Sequence, residues 1–437
     1  MDAFAYTPDL HCESHPLRHL AERFGTPTYI YSRATLEGHY DRLAAAFAEL
    51  HPLICFSVKS CPNIHIGRIL AERGSGMDVV SGGELHRALL AGTPPERIVY
   101  AGVGKTQTEI DAALRARIAY FNIESEPEFE TIASIARRLN IRTRGALRIN
   151  PDVDPRTHAY TSTGKRDSKF GVDIGRAVRF FETYGRDDFL KLDALHLHIG
   201  SPVYEVAPYI DAIQKALALI DKLAARHFTV STLDLGGGFG ADYETARSPL
   251  AADYAAAIVP LLRDRAAKGL KVILEPGRSI AANAGVLLTR VLYVKDGWGA
   301  GPDGAPVPKK FIICDAGMNT LLRPALYSAF HFVWPVAPGP NFIPERRAQA
   351  QSMPGLERCD VVGPICESSD FLAKDRFLPP MKQGDLLAVF TAGAYGMSMA
   401  STYNSHGLPA EVLVEGASTR LIRRRQAIAD LVAPEQF

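Results

Sequence analysis

Short, almost uninterrupted apolar runs alternate along this chain with longer stretches in which apolar residues recur every three or four positions. The pattern repeats from residue 54 to residue 277. The short runs read as strands: Ile54–Lys59, Met77–Ser81, Ile98–Gly102, Tyr120–Glu124, Ala146–Asn150, Leu192–Gly200, Leu233–Gly238 and Val272–Gly277. Between them Glu84–Ala91, Thr108–Arg115, Glu126–Leu139, Val206–Ala225 and Leu250–Lys268 carry the helical period. Strands without polar alternation, each followed by an amphipathic helix, belong to a parallel sheet covered on both faces. Eight such units predict a (β/α)8, TIM-like barrel. An open doubly wound sheet uses the same elements, and periodicity alone does not distinguish closure.

Beyond about residue 285 the helical period fades. Short β-prone runs take over at Val286–Val294, Lys310–Cys314, Leu386–Phe390 and Ala410–Val414. Turn-rich segments separate them, among them Gly299–Pro308 and the Pro-rich 334–344. The expected architecture is α/β: a barrel over 30–285 followed by a mostly β, sandwich- or barrel-like C-terminal domain.

In a barrel of this kind chemistry sits at the C-terminal ends of the strands. Polar residues gather at those predicted ends: Lys59, Asp78, Ser81, His198, Ser201, Glu275 and Arg278, beside the loop Gly236–Gly238. A strand-end lysine is ordinarily a solvated cap. Partly desolvated, with its pKa lowered, the same lysine becomes an amine available to a carbonyl.

Each motif has a plain structural reading as well. Four glycines within Gly236–Gly240 exceed what a turn needs and suit backbone amides converging on an anion. The run is neither a P-loop nor GxGxxG. Glu275-Pro276-Gly277-Arg278 is either a buried ion pair or a carboxylate for a ring nitrogen beside a fork for a phosphate or carboxylate. His196 and His198 fall on one face of the predicted sixth strand, one as a packed histidine and the other free to stack on a flat ring. Ser81 and Glu84 form a capping-box pattern.

The chain has 437 residues, 47% of them hydrophobic and 22% charged, with a net charge of +1. That length suits two domains, and that charge argues against a general nucleic-acid or membrane-surface role. The basic run Arg420–Arg425 reads first as a solvated strand end. Six cysteines without a CxxC pair point to free thiols in a reducing compartment, and no helical HExxH or other metal cluster is evident. The N-terminus lacks a basic, then apolar leader, so a cytoplasmic protein without a membrane span is expected.

In this order the motifs VKS, DVVSGGEL, STGKRDSKFG, HLHIGS, LDLGGGFG, EPGRS, MNTLLRPALY, GPICESSD and GAYGMSMASTYN resemble those of the fold-type III pyridoxal-phosphate decarboxylases. The likeness runs from about Gly25 to Val414. Its SKFG, RPALY and ICESSD forms lean towards the diaminopimelate branch. It implies pyridoxal 5'-phosphate as cofactor, attached to Lys59, with His198 stacked on the ring and Glu275 at its nitrogen. Ser201, Gly236, Gly237, Gly238, Pro276, Gly277, Arg278 and Tyr395 would surround the phosphate or the cofactor face, with Asp78 and Glu84 nearby. Arg278, Arg323, Tyr327, Glu367 and Tyr395 would hold the substrate, and Cys366 would face the reacting carbon. The resemblance also implies that residues 1–29 join 286–437 in the β domain. It further implies that this domain completes the site of a partner subunit, so the functional unit is a homodimer. The chain departs from the family pattern at Ser60–Asn63 and at His406–Gly407.

The implied reaction converts meso-2,6-diaminopimelate to L-lysine and CO2. A carboxylate at the ring nitrogen strengthens the electron sink, whereas racemases on similar barrels place a cation there. Two rivals use the same residues. One is decarboxylation of another α-amino acid, including a carrier-bound or siderophore-pathway substrate; the other is a non-catalytic pyridoxal-phosphate-binding regulator.

Overall fold

The computed structural model describes residues 2–154, 169–243, 248–301 and 303–436. They form two compact units. One holds the described residues of 37–241 and 248–280; the other holds those of 2–36, 242–243 and 281–436.

The first unit is a closed parallel barrel of eight strands. They are β1 (Leu53–Ser57), β2 (Gly76–Val79), β3 (Ile98–Tyr100), β4 (Tyr120–Ile123), β5 (Thr143–Asn150), β6 (Leu190–His196), β7 (Thr232–Asp234) and β8 (Lys271–Leu274). Neighbours pair in chain order, as in Phe56 with Met77 and Val99 with Tyr120. The ring closes where Ile273 of β8 meets Leu53 of β1. Closure therefore excludes the open doubly wound sheet. The apolar runs are explained by what the barrel buries: Cys55, Val99, Tyr120, Ala146, Ala194 and Ile273 pack in one cluster inside it.

Most observed strands stop short of the apolar runs that announced them. β6 ends at His196 and not Gly200, β7 at Asp234 and not Gly238, β8 at Leu274 and not Gly277. The backbone leaves the ladder there and turns across the mouth of the barrel. This corrects the placement of His196 and His198 on one strand face: His196 is the last residue of β6, and His198 lies beyond it.

Helices begin with side-chain caps where polar residues follow the strands. Asn63 accepts from the His65 amide at 3.0 Å, and Ser81 from the Glu84 amide at 3.2 Å. The expected capping box at Ser81 is only half formed, because the Glu84 carboxylate accepts from the Val80 amide at 2.9 Å. Of the Ser162–Gly171 motif, residues 162–168 lie outside the described part of the chain. Gly171 donates its amide to Glu124 at 2.8 Å.

In the second unit a long strand, Gly285–Ala300, organises the sheet. It pairs with Thr28–Ser32, with Leu386–Val389 and with Pro306–Cys314. Thr28–Ser32 also lies parallel to Ala410–Glu415, so the stretch before the barrel is a fully buried strand of this sheet. In the stretch 334–356, Trp334 is fully buried, stacks on Phe332 and donates its indole N–H to the Phe342 carbonyl at 2.9 Å. The basic run is engaged internally, Arg420 with Glu415 at 3.2 Å and Arg424 with Asp430 at 2.8 Å. No helix among the described residues is long and apolar enough to cross a membrane.

Candidate active site

Lys59 sits in a single 3-10 turn, Val58–Ser60, directly after β1. Its Nζ lies 2.8 Å from Asp78 Oδ2 at the end of β2, and Ser57 donates its hydroxyl to the same oxygen. Asp78 is wholly buried while Lys59 keeps about a third of its side-chain surface, 35%. Burial raises the Asp78 carboxyl, as does the charge of Glu275, and the Lys59 ammonium opposes both. The lysine is thus tethered at its head yet open on one side.

Glu275 follows β8 and is buried. Asn122 of β4 donates Nδ2 to its Oε1 at 3.0 Å, and His196 Nε2 lies 3.2 Å from its Oε2. Donor atoms of His196, Asp234 and Glu275 all lie within 4.8 Å of one another. Burial pushes the Glu275 carboxyl up, but His196, Lys59 and Asp234 outweigh it and hold the group well below the usual carboxylate range. Asp234 goes the other way, raised by burial and by Glu275. Two buried carboxyls side by side cannot both ionise, so Glu275 keeps the charge and Asp234 the proton.

The glycine loop is dictated by close approach. Gly236 has φ of +66°, and a Cβ there would meet the Leu197 carbonyl at 2.2 Å and His198 Nδ1 at 3.1 Å. The Gly236 amide donates to Asp234 Oδ1 at 2.8 Å, and the Gly237 amide to His198 Nδ1 at 3.3 Å. That second bond leaves the His198 proton on Nε2. Burial, then Arg148 and Lys59, lower the His198 pKa well below its ordinary value, so the ring is neutral at physiological pH. Arg278, buried at the start of a short helix, donates Nε to Ser201 Oγ at 3.2 Å. Lys59, Asp78, His198, Ser201, Gly236–Gly238 and Glu275–Arg278 therefore all lie at the C-terminal end of the barrel strands.

The site residues expected in the second unit group as follows. Arg323 and Tyr327 share one short helix, Arg323–Tyr327, with Arg323 buried and Tyr327 half-buried. Cys366 and Glu367 are exposed on a loop held by Asp370, which accepts from the Met318 and Ile365 amides at 2.6 Å each. Cys366 is the exposed thiol; the five other cysteines are buried. Ser369 donates to Glu367 at 2.6 Å, and bonds from Ser369 and Tyr403 lower the Glu367 pKa. Tyr395 is half-buried at φ of +57°, in a turn after Leu386–Val389.

Sequence reasoning missed several residues at the barrel mouth. Asn122 sits inside an apolar run and gives no outward signal. Arg148 of β5 and Glu124, just after β4, form a buried pair at 2.8 Å, with Arg148 over the Phe170 ring. The Lys105 side chain is fully buried, bonding Glu128 at 2.6 Å and the Asn122 carbonyl at 2.9 Å. A charged residue inside an otherwise β-prone run, as with Arg148, was the available clue.

These residues fit a flat, phosphorylated aldehyde cofactor. Asp78 Oδ1, Asn122 Oδ1, His196 Nδ1 and Asp234 Oδ2 are buried polar atoms without a hydrogen-bond partner in the structure. They surround an anionic Glu275, a neutral imidazole and a tethered primary amine, with a glycine loop that a side chain would block. A closed parallel barrel carrying this set defines a pyridoxal-phosphate barrel enzyme. Residues 33–282 match the pyridoxal binding domain of the pyridoxal-dependent decarboxylases, and the chain belongs to that family. Pyridoxal phosphate is its cofactor and decarboxylation its class of reaction.

The chain is 44% identical to the diaminopimelate decarboxylase of Pseudomonas aeruginosa, covering 100% of this chain and 99% of that one. Among solved structures it resembles diaminopimelate decarboxylase from Helicobacter pylori complexed with L-lysine. The TM-score is 0.87 and the identity 39%, over 96% of this chain and 99% of the other. The enzyme from M. jannaschii gives a TM-score of 0.89 at 33% identity, over 100% and 98%.

Proposed function

We propose that this protein decarboxylates meso-2,6-diaminopimelate to L-lysine and CO2. The observation that supports this most is the anionic Glu275 fixed by Asn122 and His196, on a barrel whose full-length relatives are diaminopimelate decarboxylases. Bound through Lys59, pyridoxal phosphate supplies an electron sink for the pair left when CO2 departs. Glu275 holds a proton at the ring nitrogen, because an adjacent anion favours the protonated pyridinium. Neutral His198 covers the ring face without adding a competing charge. Arg278, Ser201 and Gly236–Gly238 receive the phosphate, and Asp78 orients the Lys59 amine. Tyr395 joins this cofactor shell.

On this reading Arg323, with Arg278, Tyr327 and Tyr395, holds the substrate carboxylate remote from the reacting carbon. Cys366 or Lys59 returns the proton to that carbon. Cys366 and Glu367 come from a partner subunit, so the working unit is a homodimer with shared sites, in which residues 1–29 and 286–437 complete the site of the neighbour. The exposed Cys366 and Glu367, on a loop pinned by Asp370, are consistent with a surface that meets another chain. Cytoplasmic residence is in keeping with cysteines that form no disulfide among the described residues.

The test is CO2 release across meso-diaminopimelate, lysine, ornithine, arginine and glutamate. Turnover of diaminopimelate well above the others is expected. Rapid turnover of ornithine with none of diaminopimelate would overturn the assignment.

A further inference from the structure

On the reading of Arg323 as a carboxylate-binding group, the buried surroundings of this arginine take on a further role. Arg323 Nη1 lies 2.9 Å from His331 Nε2, and His331 Nδ1 lies 2.9 Å from the Phe390 carbonyl oxygen. His331 is wholly buried and Arg323 nearly so, with 7% of its surface exposed. The Tyr243 ring touches both: the guanidinium carbon stands 4.7 Å from its centroid, and the imidazole meets it edge-on at 5.4 Å.

The chemistry of the two partners fixes the state of His331. A main-chain carbonyl can only accept, so Nδ1 carries the proton. A guanidinium can only donate, so Nε2 must present its lone pair. Both ring nitrogens are thus committed, and only the neutral Nδ1–H tautomer satisfies both contacts. Protonating Nε2 would remove the acceptor and set a second cation against Arg323 in a buried space. The imidazole meets this guanidinium, the edge of Tyr243 and the Phe390 carbonyl.

We infer that His331 is a positioning residue that aims the Arg323 fork at the substrate carboxylate, and that it does so only while neutral. Arg323 spends one N–H on the imidazole, which restricts the rotation of a side chain that is otherwise costly to immobilise. The substrate then meets an arginine already ordered. Acid conditions release it.

Two near-isosteric variants separate this role from packing. In His331→Gln the amide oxygen reaches the place of Nε2 and keeps the acceptor for Arg323, at the expense of the contact to Phe390. In His331→Asn the amide reaches only the place of Nδ1, keeping the Phe390 contact and losing Arg323. The holoenzyme is assayed with meso-diaminopimelate, with thermal melting and the visible cofactor band as controls. The expected result is a KM raised about 10-fold in His331→Asn, near wild type in His331→Gln, and kcat little changed in either. In the wild type KM rises towards acid pH, and in His331→Gln this rise is absent. Equal KM effects in the two variants, or a wild-type KM independent of pH on the acid side, would overturn the role of His331. Should both variants fail to fold, the wild-type pH dependence decides alone. Arg323→Ala separates the underlying reading: if it leaves KM unchanged, Arg323 does not bind substrate; if it raises KM while His331→Asn does not, only the role of His331 falls.

Discussion

Asn122 on β4 and Glu275 after β8 meet across the barrel mouth, the amide Nδ2 donating to Oε1 at 3.0 Å. His196 Nε2 lies 3.2 Å from the other oxygen, Oε2, so both carboxylate oxygens are held by residues of the barrel wall. Glu275→Gln keeps the shape, removes the charge and turns one amide hydrogen-bond group against a donor. It should lower kcat about 100-fold, the scale of losing one preorganised electrostatic group. Asn122→Ala should cost less, about 10-fold, with the charge intact. Steady-state kinetics on the two variants checks the order. Equal losses would mean that Glu275 acts through shape alone.

Asp78 is the buried acceptor for both Lys59 and Ser57. Removing it in Asp78→Ala leaves a buried hydroxyl and a half-buried ammonium without that acceptor. The expected loss is about 1–3 kcal/mol of stability, read by denaturant unfolding, with weakened retention of the cofactor. A variant as stable as wild type would show that the pair contributes little.

Gly236 requires both its left-handed backbone and the absence of a side chain. Gly236→Ala drives a Cβ into the Leu197 carbonyl, to within 2.2 Å of its oxygen. Destabilisation of about 2 kcal/mol or more is expected, together with a raised dissociation constant for pyridoxal phosphate. An apoenzyme titration that matched wild type would contradict the close-packed loop.

Glu84 carries a pH signature. Burial, opposed by the Val80 amide and Lys59, raises its carboxyl to about 7. The folded chain therefore retains a proton that the unfolded chain releases in the ordinary carboxylate range, so this group's contribution to stability falls as pH rises towards and through about 7. Glu84→Gln preserves the acceptor for Val80 and cannot ionise. Its stability relative to wild type should increase between pH 5 and pH 8, as measured by thermal melting at each pH. A difference that stays flat or shrinks would rule out this titration.

The barrel was legible because its strands are buried on both faces and its helices are amphipathic, so periodicity changes sharply from Ile98–Tyr100 to Gln107–Ala116. Its site was legible where chemistry needs rare local patterns, as with the glycine run and the Glu275–Arg278 turn. Strand ends were not. Polar turns such as 197–201 continue an apolar run in sequence while leaving the ladder in space, which misplaced His198 on a strand. Asn122 and His331 were also beyond reach, since each matters only through a partner that folding brings from a distant or differently turned segment. The buried Lys105–Glu128 pair hides for the same reason: two charges 23 positions apart look like solvated surface until the loop closes over them.

The attachment of the cofactor to Lys59 is tested most directly by borohydride reduction of the purified holoenzyme followed by peptide mapping. The mass of reduced pyridoxal phosphate should appear on the peptide containing Lys59. In Lys59→Ala both that label and the visible absorbance of the native band should be lost. A label on a different lysine, or a wild-type protein that binds the cofactor without labelling Lys59, would contradict the account.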